Sequence, residues 1–144
     1  MSTIDVFKDS PSFALLSAVF AFVDEHAVGT ATAETKPKSK PAIVWSTPLV
    51  PRYISLSEYR GKAMLVLHVR AVRDPTLAAL FEQLGAWRDD TGNTLLFKET
   101  PDPWPQALAT LLSSMLPVLE PIYLAAQSEA KPAAATKPPK TKTK

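Results

Sequence analysis

The residues whose types could do chemistry are few: two histidines, His26 and His68, and the adjacent carboxylates Asp89 and Asp90. The chain has no cysteine, which excludes a thiolate nucleophile, a thiolate zinc site and a disulfide framework. Its four glycines, at 29, 61, 85 and 92, are too scattered for a phosphate-cradling loop. Asp89 and Asp90 lie in the turn-forming run Asp89-Asp90-Thr91-Gly92-Asn93 and lack the spaced carboxylates of a calcium loop. His26 falls at the end of a helical pattern, where the helix dipole favours a positive imidazole, and His68 falls on a strand. Both read as structural or surface residues. The inventory points to a protein that is not an enzyme, with no catalytic residue, metal or cofactor.

Binding chemistry has better material. Large aromatics dominate binding hot spots, which makes Trp45, Tyr53, Tyr59, Trp87 and Trp104 the candidates for contact with a protein or peptide partner. Core burial is the competing role for each tryptophan. Tyr53 and Tyr59 alternate onto one face of a strand with Arg52 and Arg60 beside them, an arrangement that could stack bases. A second partner class is nucleic acid: Lys131, Lys137, Lys140, Lys142 and Lys144 stand against Glu129 alone in the last 18 residues, the composition of an arm that neutralises phosphates. A solubilising tail has the same composition. The net charge of +2 comes from this tail and from the lysines of residues 30–41, so the remainder is mildly acidic and shows no basic stripe.

The elements that must position these residues follow from periodicity. Ser10-Pro11 opens a first helix to about His26, with Leu15, Leu16, Val19, Phe20, Phe22 and Val23 around most of its circumference. Residues 30–41 are rich in Thr, Ala, Lys and Pro and read as a flexible loop. Three strands follow: Ala42–Trp45, Arg52–Tyr59 and Lys62–Val72, with Arg60-Gly61 as the turn between the last two. In the third, Ala63, Leu65 and Leu67 share one face and Met64, Val66, His68 and Arg70 the other. Asp74-Pro75 caps a second helix that stops at Gly85 or runs to Asp90; the stop at Gly85 is preferred and gives a hairpin from Ala86 through Thr94–Glu99. Asp102-Pro103 opens a third helix, whose interior Pro117 and Pro121 predict a kink or a break.

The domain plan is an N-terminal extension over 1–9, one α+β domain over 10–126 and a disordered basic tail over 127–144. An antiparallel sheet of about five strands packs with three helices in the order α-β-β-β-α-β-β-α. This order, and above all the passage of a long alternating strand into a capped helix, Val66-Leu67-His68-Val69-Arg70-Ala71-Val72-Arg73-Asp74-Pro75, resembles the type III secretion chaperone-like and YbjN-like fold. The resemblance implies peptide binding and a dimer. With the longer second helix, the α-β-β-β-α core resembles a double-stranded RNA-binding domain. A further alternative is a viral or assembly subunit. The first helix and the third, with Leu108, Leu111, Leu112, Met115, Leu116, Leu119 and Ile122, carry more apolar surface than one small domain needs, which also suggests a homodimer. The run Phe13–Val23 lacks a basic flank and is short of the ~20 residues of a membrane span, so neither a signal peptide nor a membrane is expected and the location expected is cytoplasmic.

Overall fold

A computed structural model describes residues 3–36 and 39–136. The fold is α+β. Five strands, β1 (Thr30–Lys36), β2 (Ser39–Ser46), β3 (Ile54–Tyr59), β4 (Lys62–Leu67) and β5 (Thr94–Phe97), form one antiparallel sheet whose spatial order is the chain order. The helices are α1 (Phe13–His26), the single turn α2 (Val69–Val72), α3 (Pro75–Glu82) and α4 (Gln106–Thr136).

Register assigns the two faces. Trp45 lies opposite Ile54 and Ile54 opposite Leu67, while Ile43, Leu56, Leu65 and Leu95 form the next row. These side chains are all buried, together with Leu16, Val19 and Val23 of α1 and Leu108, Leu111, Leu112, Met115 and Leu119 of α4. The helices therefore sit on one face, the two-layer solution for an antiparallel sheet. Residues Gln106–Gln127 are long and apolar enough to cross a membrane by length and composition, but the α4 leucines named above are the core of this domain. The apolar excess of α1 is met inside the chain too, since Phe13, Leu15, Phe20 and Phe22 pack partly buried against the core.

Several local expectations hold. Arg60 and Gly61 both have positive φ, 50° and 82°, and join Tyr59 to Lys62 as a two-residue hairpin turn. The Asp74 carboxylate accepts the backbone N–H groups of Thr76 (3.1 Å) and Leu77 (3.2 Å), and Pro75 follows in the first turn of α3.

Others are corrected. Residues 30–41, expected as a flexible loop, contribute β1 and the start of β2, and Thr30–Glu34 pair without a shift with Ala42–Ser46. The N-terminal extension is part of the domain: Thr3–Phe7 form a 3-10 turn and Phe7 is in the core. The strand expected to reach Val72 ends at Leu67, because His68 caps α2. The strand expected from Arg52 begins at Ile54. The second hairpin shrinks to one bridge, Arg88 with Leu95, after α3 stops at Glu82. The first helix begins at Phe13 rather than Pro11, and the hydroxyl of Ser10 accepts the N–H of Ser12 ahead of it. The final helix begins at Gln106 and is not broken at Pro117 or Pro121. The tail expected over 127–144 is a different case, since it lies partly outside the described residues, which end at Thr136 on the backbone of α4.

The connection from α1 to β1 turns on Gly29. Its φ is +115°, and a Cβ there would sit 2.7 Å from the carbonyl oxygen of Ser46. Only a residue without a side chain lets the chain enter β1 this close to the end of β2.

Candidate functional site

The five aromatic candidates separate. Trp45 and Tyr53 are in the core, 0% and 1% exposed, and offer no face to a partner. The indole N–H of Trp45 donates to Asp24 (3.1 Å) and its ring meets Phe20 at 5.6 Å. The Tyr53 hydroxyl donates to the Val28 carbonyl, and burial pushes its pKa up to about 12. With Tyr53 turned inward before β3 begins, the expected Tyr53–Tyr59 stacking platform does not form. Tyr59 is exposed at the β3–β4 turn, with the Arg60 guanidinium 5.2 Å from its ring centroid.

Trp87 and Trp104 are brought together. Trp87 meets Phe97 at 5.7 Å, Phe97 meets Trp104 at 6.0 Å, Trp104 stacks on Phe22 at 4.3 Å, and Phe22 meets His26 at 4.6 Å. The buried Phe97 is the hub, so this row fastens α1 and the approach to α4 onto β5. Of the tail candidates, Lys131 lies on α4 with its side chain undescribed, and Lys137, Lys140, Lys142 and Lys144 fall outside the described residues.

The face of the sheet opposite the helices is the surface that aromatic counting missed. Ser55, Ser57, Met64, Val66 and Leu96 lie on it by register, all half-buried, and no helix packs over it among the described residues. Val44 shares this face but is buried. The ion pair between Arg52 and Glu34 lies along this stretch of β2, since the Arg52 N–H donates to the Ser46 hydroxyl and Glu34 pairs opposite Ala42, the two residues that bracket Val44 on this face. A second ion pair, Lys40 with Glu58 (3.0 Å), ties β2 to β3; the Gly61 N–H and then Lys40 hold the Glu58 carboxyl below its usual range.

His68 stands at the corner of this face. A depression of about 250 Å³ on one side is lined by Arg52, Ser55, Val66, His68, Val69 and Asn93. On its other side a depression of about 330 Å³ is lined by His68, Arg70, Ile122, Tyr123 and Ala126. Asn93 holds the end of β4 by donating its side-chain amide to the Leu67 carbonyl (2.7 Å). The Nδ1 of His68 accepts the Arg70 N–H (3.1 Å), which places the ring proton on Nε2 and makes Nε2 the donor to the Tyr123 hydroxyl (2.9 Å). Burial, then the Arg70 charge, lowers the His68 pKa below its ordinary 6.5.

This arrangement has a pH signature. The unfolded chain takes up the proton at about 6.5 and the folded chain only at lower pH, so acidification favours unfolding between the two values. The contribution of His68 is complete above about 6.5 and declines as pH falls below it. His68→Asn keeps a capping side chain without a titrating one. Its melting temperature should fall less than that of the parent between about pH 7.5 and 5.5, and parallel declines would refute the assignment.

Among the described residues no group of His, Asp and Glu side chains is placed to hold a metal ion. No family model, curated protein or solved structure matches this chain.

Proposed function

We propose that the protein is a non-enzymatic binding module of adaptor or chaperone type that receives an extended peptide or protein segment on the helix-free face of its sheet. The observation that carries this reading is the composition of that face: Met64, Val66 and Leu96 supply an apolar centre, with Ser55 and Ser57 beside them and Arg52, His68 and Asn93 at one end. A pleated surface of this kind offers alternate shallow pockets for an extended chain and a few polar groups to orient it. Support for a non-catalytic reading of His68 is its use in the fold: Nδ1 accepts the Arg70 N–H at the cap of α2, and Nε2 donates to the Tyr123 hydroxyl of α4.

Peptides selected from a random display library for binding to the folded protein provide the test. A Val66→Lys variant with an unchanged circular dichroism spectrum and melting temperature should bind them at least tenfold more weakly. Undiminished affinity in that variant would refute the assignment of the face.

A further inference from the structure

The two edges of the sheet are not equivalent. On β5 the outer edge is already engaged, since Arg88 bridges Leu95, the Leu96 N–H donates to the Trp87 carbonyl (2.7 Å) and the Asp89 N–H donates to the Thr94 carbonyl (2.9 Å). On β1, no backbone group bonds to anything but β2 among the described residues. Sheet edges left like this are usually blunted by an inward charge, a proline, an edge lysine or a bulge. Here the stretch Thr30–Glu34 pairs with β2 in unbroken register and contains no proline or lysine, and the register shift comes only after Glu34. Its one charge, Glu34, is tied to Arg52.

We infer that β1 is the seam of a homodimer, in which its free edge pairs antiparallel with β1 of a second copy and joins the two sheets into one. The segment is self-complementary. With the two-fold axis at Thr32, the centre of the regular stretch, Thr32 faces its own counterpart, Ala31 faces Ala33 of the partner subunit, and Thr30 faces Glu34 of the partner subunit. Like charges are never opposite, the alanines leave room for close approach, and threonine pairs suit neighbouring strands. A second copy is favoured over a free peptide because its β1 is already an ordered strand held by β2, so the ordering cost is met within each monomer. A five-residue ladder is a small interface, which places the dimer in the weak class. The inference concerns the edge of the sheet and does not rest on the function proposed for its face.

The absence of native cysteine makes the test direct. Residues facing each other across antiparallel strands have Cα atoms about 4.5–5.5 Å apart, inside the range a disulfide spans. Thr32→Cys in the full chain should therefore cross-link to itself under mild oxidation. Thr35→Cys, whose counterpart would lie roughly 20 Å away along the paired strands, should not. Sedimentation equilibrium of the unmodified chain at about tens of micromolar should show a monomer–dimer equilibrium. A strictly monomeric chain would overturn the inference. So would a dimer in which Cys at 32 and Cys at 35 cross-link equally, because the contact would then lie elsewhere.

Discussion

Trp45→Ala is expected to remove about 3–5 kcal/mol of stability, the range for deleting a fully buried large aromatic. Trp45 is completely buried near the end of β2, opposite Ala31 on one side and Ile54 on the other, with Phe20 of α1 above it. Alanine would leave a cavity between the sheet and α1 that neither can close, because both are held by neighbouring rows of the same core. The polar part of the loss is smaller. Asp24 is exposed, so its carboxylate regains water when the indole N–H is removed. Trp45→Phe should therefore cost clearly less than Trp45→Ala in urea unfolding. A loss below about 1 kcal/mol for the alanine variant would mean that the indole is not a core element.

Gly29→Ala should have the next largest effect, about 2 kcal/mol or more from backbone conformation and steric contact together. Two controls separate these causes. Gly61 and Gly92 also have positive φ, 82° and 89°, but an added Cβ at either meets nothing within 4 Å. Alanine at those positions carries backbone strain alone, whereas at Gly29 it also drives into the Ser46 carbonyl, which belongs to the β1–β2 ladder. Thermal unfolding of the three variants should rank Gly29→Ala as the most damaged. Equal losses would show that the close approach to Ser46 is readily relieved.

The parts of the fold that could be read from the sequence are those where side chains alternate against a core. Strand β4 is the clearest case: Ala63, Leu65 and Leu67 are buried while Met64 and Val66 face outward, as their period of two requires. The Asp74-Pro75 helix start was equally legible, because its cap is a local bond between neighbours in sequence. Strand β1 was not. Its Thr-Ala-Thr-Ala-Glu-Thr-Lys run has no large apolar residue, and its place in the sheet comes from pairing with β2 rather than from burying a face of its own.

The candidate site was legible in a similar way. The outward set Met64, Val66 and His68 was visible as the second face of a strand, but its importance depended on the absence of a covering helix, which no local pattern states. The aromatics misled for the opposite reason. A tryptophan looks the same in sequence whether it fills a core, as Trp45 does, or bridges elements half-buried, as Trp87 and Trp104 do. The alternation of its neighbours places His68 on a strand; its capping role follows from the turn of the chain at Val69.

The identity of spatial and sequential strand order has a kinetic consequence. Each strand pairs with the next one along the chain, and three of the four pairings close across short connections. The fourth, β4 with β5, must first enclose the segment that carries α2 and α3. Contacts between sequence neighbours lower the entropy of loop closure and speed folding. The β1–β4 meander is therefore expected to assemble as a unit, ahead of the return of β5 to β4 and the meeting of α4 with α1.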